Sequence, residues 1–460
     1  MRIFEILLLA VNVPYVGWPL FARKRPYWLH FLPLTAVLFT VLHLLFEKYR
    51  WQMVPAYVVT AVLAVLALLR LTKPAKPASR WLSVGGLVVL ALALLPPFLI
   101  PVPQLPAVTG PYSVGTQTVM LVDNGRSELW SDADESRRLM AQIWYPAAPT
   151  GSEPQAQYLD TLDAAGAVVA EMFNLPSFML NHVNLTDLGI TVEPPAATDG
   201  PFPVILFSHG LTGLRSQNTT MVRELVSHGY VVAAVDHTYG NAITVFPDGE
   251  TILYDACRIF SNCDSNYVEA VPLVDQWVGD LDFLLNTLTM WNSDQNGRFA
   301  GVFDLAHVGV FGHSTGGGAA VSFCQQDARC SAGVGLDAWV LPVPDKVLAG
   351  GLQKPFMFLS TPHWLGDENR VRGEALLAQT QVESYDLRLA NTGHFDFTDL
   401  VLLTPLTPQL GLSGTINSQY SLTIQNEYVL AFFDRYLRGE SRPILTAVSP
   451  YPELTISRRP

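Results

Sequence analysis

The chain is poor in charge: Asp, Glu, Lys and Arg make up 15% of its 460 residues, and only four residues are cysteine. It has no internal repeat and no low-complexity tract, which argues against a repeat array or a disordered arm. No run of His, Cys, Asp and Glu has the spacing of a metal-ligand set, so neither a metal nor a cofactor is expected. Basic residues are scarce where a nucleic-acid partner would need them. Residues 1–109 hold 10 Lys or Arg and 2 acids, a net of +8, whereas the remainder holds 18 and 38, a net of −20. An acidic body of that size excludes nucleic-acid binding and an electrostatic grip on anionic lipid, so any bilayer contact should be apolar. The N-terminus lacks a basic leader region and a small-residue cleavage site, and Arg23, Lys24 and Arg25 follow its apolar run directly, so no cleaved signal is read there.

What the first hundred residues do have is four apolar stretches, 3–21, 27–46, 53–71 and 81–100. Each is about 20 residues, enough for a helix across a hydrocarbon core of about 30 Å. Trp18, Tyr27, Trp28, Trp51 and Trp81 lie near their ends, as in an interfacial belt. The first loop carries Arg23, Lys24 and Arg25, the second Glu47, Lys48 and Arg50, and the third Arg70, Lys73, Lys76 and Arg80. The first and third are the richer, which places them in the cytoplasm and everything after Ile100 outside it. The expected location is therefore the inner or plasma membrane. The first stretch carries Glu5, Pro14 and Pro19, and a three-span reading that drops it changes this topology.

Residues 101–109 are rich in proline and read as a linker, and 110–460 as one large domain. Residues 110–146 read as antiparallel strands. Strand, helix and strand follow at 204–207, 221–228 and 230–235, with long helices at 271–289 and 425–437. This alternation predicts an α/β fold, a mostly parallel sheet covered by helices on both faces. Cys257 and Cys263 are six apart, as are Cys324 and Cys330. Local pairing is the simplest of three connectivities and suits an oxidising compartment; four reduced thiols are the other reading.

The chemistry centres on V-G-V-F-G-H-S-T-G-G-G, residues 308–318. An apolar strand running into G-x-S-x-G and then a helix aims the Ser314 hydroxyl out of a sharp turn. A Cβ at Gly312 or Gly316 is expected to meet backbone there. A serine needs a base, and the base a partner that fixes its tautomer, in the chain order Ser, acid, His. Downstream of Ser314 only His363 and His394 are available; His394, in N-T-G-H-F-D-F after the alternating run 384–389, stands at a strand-end loop. For the acid the residues leave Asp337, at the end of S-A-G-V-G-L-D, and Asp367, after the next strand. The oxyanion donors are expected to be the N–H of Thr315, next to the nucleophile, and that of Leu211, after the strand 204–207.

G-H-S-T-G-G around Ser314, L-D-A-W around Asp337, G-H-F-D-F around His394, and P-V-I-L-F-S-H-G-L-T-G at 203–213 together resemble the platelet-activating-factor acetylhydrolase family. G-P-Y-S-V-G-T at 110–116 and Q-I-W-Y-P at 142–146 match its first strands, so the resemblance spans roughly three quarters of the chain. It implies an α/β-hydrolase fold, a serine lipase or esterase activity without cofactor, and the aspartate of D-A-W, Asp337, as the acid. The substrate it implies is a short-acyl or oxidised phospholipid-like ester; a general carboxylesterase or polyester hydrolase is the alternative. A non-catalytic membrane protein using the same fold to bind a partner is the rival class, and no obligate protein partner is evident. The N-terminal stretches and residues 158–190 depart from the family pattern. Within the latter, the apolar segment around Phe178 and Met179 reads either as a wall for an acyl chain or as packing over the sheet.

Overall fold

The computed structural model describes every residue except 23, 73–78, 265, 267, 363–365 and 460. The chain divides into two units: residues 1–103 with 176–186 and 403–406, and residues 104–175 with 187–402 and 407–460.

The first unit is helical. Its helices are α1 (Ile3–Gly17), α2 (Leu32–Leu42), α3 (Val54–Leu71) and α4 (Arg80–Leu99). With their flanking turns they form stretches of 18, 21, 21 and 20 residues, each long and apolar enough to cross a membrane. Small residues mediate the packing: α3 turns Ala56, Thr60, Ala64 and Ala67 inward. Two groups of polar contacts lie in the interior. Asn12 donates to Thr60 Oγ1 at 3.0 Å and to the Leu8 carbonyl at 2.9 Å. The Arg50 guanidinium meets both carboxylate oxygens of Glu5, at 2.7 and 2.8 Å, and also donates to the Ile100 carbonyl.

The second unit is built on a sheet of ten strands among the described residues, in the order β12-β11-β10-β9-β8-β4-β5-β2-β1-β3. The strands are β1 (Ser113–Ser127), β2 (Ser136–Ala147), β3 (Ile190–Val192), β4 (Phe202–Ser208), β5 (Val231–Asp236), β8 (Phe303–His313), β9 (Cys330–Leu336), β10 (Phe356–Ser360), β11 (Ser384–Leu389) and β12 (Leu454–Arg459). A separate hairpin joins β6 (Ile243–Val245) to β7 (Thr251–Leu253). The six strands from β5 to β11 are mutually parallel, while β2 and β12 run antiparallel to the neighbours that flank this block.

Alternation along β4 shows how both faces are covered. Val204 and Leu206 join one apolar cluster, with Leu281, Leu284 and Leu288 of α8 (Ala270–Ser293) and Val321 and Phe323 of α9 (Thr315–Gln326). Ile205 and Phe207 join the other, with Val222 and Leu225 of α6 (Thr219–Ser227) and Phe432 and Phe433 of α12 (Ser418–Leu437). A strand buried on both faces reads as a continuous apolar run, which is what V-I-L-F supplies. Phe207 and Phe311 stack at 4.5 Å between adjacent strands, and burying each ring contributes about 2 kcal/mol. After β4 the chain moves to β5 on one side; after β8 it moves to β9 on the other. The strand order therefore reverses between β4 and β8. In open α/β sheets that is where a crevice forms at the carboxyl ends of the strands.

Two disulfides close short loops: Cys257–Cys263, and Cys324–Cys330 between the end of α9 and the start of β9. Local pairing is thus the arrangement found.

Candidate active site

Ser314 stands between β8 and α9 with φ of 55° and ψ of −121°. A non-glycine residue in this region stores local strain, the kind that accumulates where a side chain must be aimed. The turn is tight on both sides. A Cβ at Gly312 would run into the Gly316 carbonyl oxygen, and one at Gly316 into the Ser208 and His209 carbonyl oxygens. The backbone of Ser314 is tied down as well: its N–H donates to Leu336 O at 3.0 Å, and its carbonyl accepts from Trp339 N–H at 2.8 Å. The Ser314 turn and the start of the Asp337 loop are thereby one hydrogen-bonded piece.

Asp337 follows β9 directly and is fully buried, with φ of 43°. One oxygen, Oδ1, accepts the Thr361 N–H at 2.9 Å, and the other, Oδ2, lies 2.7 Å from His394 Nδ1. His394 opens a short helical turn, His394–Phe397, after β11. Its loop is held by Asp396, whose Oδ2 accepts the N–H groups of Gly393 at 2.7 Å and Gly414 at 2.6 Å. Burial pushes the Asp337 carboxyl up, against the pull of the Thr361 N–H and of Arg388. Burial also pushes the His394 imidazole down, so it is uncharged at neutral pH. In a pair of this kind an ionised carboxylate accepts a hydrogen bond from the ring proton on Nδ1 and leaves Nε2 as the basic nitrogen.

The third part is the loop after β4. Ser208, the last residue of β4, pairs in register with Gly312, so the loop after β4 starts next to the Ser314 turn. A Cβ on Gly210 would lie 3.3 Å from Ser314 Cβ and 3.0 Å from His313 Nδ1. The missing side chain thus brings the backbone against Ser314. Leu211 packs its side chain on the cluster of Trp277, Ala319 and Trp339. Thr315 is the first residue of α9, where an N–H has no intrahelical acceptor and the helix dipole favours negative charge.

Several residues outside the predicted set hold these parts together. Gln217 takes the Gly210 N–H on Oε1 at 3.2 Å and gives its amide to His313 Nδ1 at 2.9 Å. His313 Nε2 in turn lies 3.2 Å from the His394 carbonyl oxygen, and the two rings are 4.4 Å apart. Asn218 donates to the Phe397 carbonyl at 2.7 Å. The only sequence hint was the histidine inside G-H-S-T-G; the glutamine and asparagine carry no local signal. His237 is fully buried, with Nδ1 2.9 Å from Asp280 Oδ2 and Nε2 2.9 Å from Ser208 Oγ.

His363 lies outside the described residues, as does the side chain of Asp367. Phe178 and Met179 belong to the helical unit. The Phe178 ring meets Trp51 edge-on at 5.2 Å, and the Met179 carbonyl accepts from Trp51 Nε1 at 3.3 Å. The same unit brings donor atoms of Glu5, His43 and Glu47 within 4.8 Å of one another. Arg2 and Arg50 already occupy the Glu5 oxygens at 2.7 to 2.9 Å, so this group reads as an ion-pair network rather than a metal site.

Comparison with known proteins matches the family described as platelet-activating factor acetylhydrolase, isoform II, over residues 100–250 and 290–441. Platelet-activating factor acetylhydrolase of Cavia porcellus is 25% identical over 72% of this chain and 78% of its own length. A probable 1-alkyl-2-acetylglycerophosphocholine esterase of Arthroderma benhamiae is 27% identical over 55% of this chain and 64% of its own. Among solved structures, a ferulic acid esterase from Streptomyces cinnamoneus is similar with a TM-score of 0.63 and 28% identity, over 77% of this chain and 99% of that one.

Proposed function

Given that the chain belongs to the platelet-activating factor acetylhydrolase, isoform II family and is a carboxylic ester hydrolase, we propose that it works through Ser314, His394 and Asp337 from a membrane anchor. The observation that carries this reading is the 2.7 Å contact of Asp337 Oδ2 with His394 Nδ1, set at strand ends beside a serine held at a strained turn.

In this mechanism His394 Nε2 takes the Ser314 proton as Oγ attacks the ester carbonyl. Asp337 keeps the ring in the working tautomer and stabilises the imidazolium that forms. The N–H groups of Leu211 and Thr315 receive the oxyanion, a term of about 3 to 4 kcal/mol per donor. His394 then protonates the leaving alcohol. Water, activated by the same histidine, releases the acid from the acyl-enzyme.

The relatives' names support a phospholipid-like ester with a short acyl chain, and the ferulic acid esterase supports a second reading, a broader carboxylesterase. The anchor is formed by the four apolar helical stretches, with the sheet unit outside the cytoplasm.

A fluorophosphonate probe applied to the full-length protein in detergent should label Ser314, and a panel of short-acyl phospholipids and simple aryl esters then ranks the two substrate readings. An adduct on another residue would overturn the assignment. Protease added to intact cells should reach the sheet unit; protection until the membrane is broken would reverse the topology.

A further inference from the structure

Beneath the loop after β4 lies a second series of serine, histidine and aspartate, wholly buried: Ser208, His237 and Asp280. No solvent or substrate reaches it, so it does not act as a nucleophile. What it touches is informative. Asp280 is held by Arg137, with contacts of 2.6 and 3.1 Å. The His237 ring lies flat on Trp277 at 4.2 Å and is fixed at both nitrogens, by Asp280 and by Ser208 Oγ. Its backbone N–H then donates to His209 Nε2 at 3.1 Å. The other nitrogen of His209, Nδ1, lies 2.7 Å from the Gly210 carbonyl oxygen.

These two contacts allow only one tautomer. A backbone N–H can only donate, so Nε2 must accept; a carbonyl oxygen can only accept, so Nδ1 must carry the proton. Burial first, and the adjacent His237 ring second, keep His209 well below the ordinary imidazole value, which agrees with a permanently neutral ring. The Gly210 carbonyl belongs to the same planar trans peptide as the Leu211 N–H, and the two point in opposite directions. Whatever fixes that carbonyl therefore aims that N–H. Two donors fix it: His209 Nδ1, and the Gly213 N–H at 2.8 Å.

We propose that His209 is a positioning residue for ester hydrolysis, its Nδ1–H holding the Gly210 carbonyl so that the Leu211 N–H faces the developing oxyanion, with His237 and Asp280 locking the ring. The proposal rests on the reading of Leu211 as an oxyanion donor. Trp277 and Asp280 fall between the two stretches matched by the family.

Carboxamides separate the two ring nitrogens. In His209→Asn the amide nitrogen falls near the Nδ1 position and can still donate to Gly210; in His209→Gln it falls near Nε2 and cannot. Kinetics with a soluble ester and its thionoester, in which sulfur replaces the carbonyl oxygen and accepts hydrogen bonds poorly, read the oxyanion contact directly. The parent should prefer the ester by about tenfold or more. His209→Gln and His209→Phe should lose about 100-fold in kcat on the ester, with KM little changed, and much less on the thionoester. His209→Asn should stay within about threefold of the parent on both substrates. Equal losses on ester and thionoester, or a Gln variant as good as the Asn variant, would overturn the positioning role while leaving the oxyanion reading standing. A parent that does not prefer the ester would overturn the oxyanion reading itself, and the positioning role with it. If the Gln and Phe variants do not fold, the folded Asn variant decides: loss of its preference for the ester overturns the proposal.

Discussion

In α3, Val58, Val62, Val65 and Leu69 face outward, each at least half exposed, while Ala56, Thr60, Ala64 and Ala67 face in. In β4 the large apolar residues Val204 to Phe207 are all at zero exposure. The two units sort the same residue types in opposite directions. Water drives large apolar groups inward in the sheet unit. Along α3 the large residues turn outward and the small ones inward, as they do in helices whose surroundings are as apolar as leucine. The contrast accords with four helical stretches that could cross a membrane and a sheet unit that shields its apolar groups from water.

The comparison can be broken most sharply at the nucleophile. Ser314→Ala should lower ester hydrolysis by about 10⁴-fold or more and leave both units folded, as read by activity and circular dichroism of the detergent-solubilised protein. Activity within tenfold of the parent would remove the mechanism. In the helical unit the corresponding weak point is the Glu5–Arg50 pair, fully buried with two hydrogen bonds. Arg50→Ala leaves a carboxylate without its main partner and should destabilise that unit by about 3 to 5 kcal/mol. Thermal unfolding in detergent should show the helical transition falling while kcat on a soluble ester stays within about twofold. If kcat collapses with it, the units are not separable in function.

Phe178 tests whether the division by contacts is also a division of labour. It packs on Trp51 in the helical unit, and its sequence reads either as an acyl-chain wall or as packing over the sheet. Phe178→Asp should cut turnover of lipid-like esters by about tenfold more than that of small soluble ones, a difference within the reach of one lost apolar contact set. Equal effects would reduce it to packing. The smallest effect concerns pH. His394 must be neutral to accept the Ser314 proton, and burial lowers its pKa below 6.5. Activity should therefore persist as pH falls through 6.5, with the acid limb of kcat/KM below that value. An acid limb above 6.5 would show the imidazole stabilised in its charged form instead.

The parts legible in the sequence are those with local signatures. The strand at 384–389, the elbow around Ser314 and the apolar helices each announce themselves within a dozen residues. The Gly312 and Gly316 clashes followed from the motif alone. What escaped was set by distance along the chain. His209, His237 and Asp280 meet across separations of 28 and 43 residues, and nothing near any of them names the others. The terminal strand β12 escaped because L-T-I-S-R-R is short and half polar; its place is decided by the open edge of β11. The membership of residues 176–186 in the helical unit depends on Trp51, more than a hundred residues earlier.

The two disulfides differ in one respect that makes the molecule its own reference. Cys257 and Cys263 are exposed, whereas Cys324 and Cys330 are at zero exposure. Thiol exchange needs in-line access to a sulfur, so a small reductant meets the first pair at once and the second only when the end of α9 parts from β9. Reduction should run in two phases, and the ratio of their rates converts into the free energy of that local opening. The chain thus carries a built-in gauge of how tightly the far end of the helix after Ser314 is held, readable with a thiol reagent and a clock, with no substrate present.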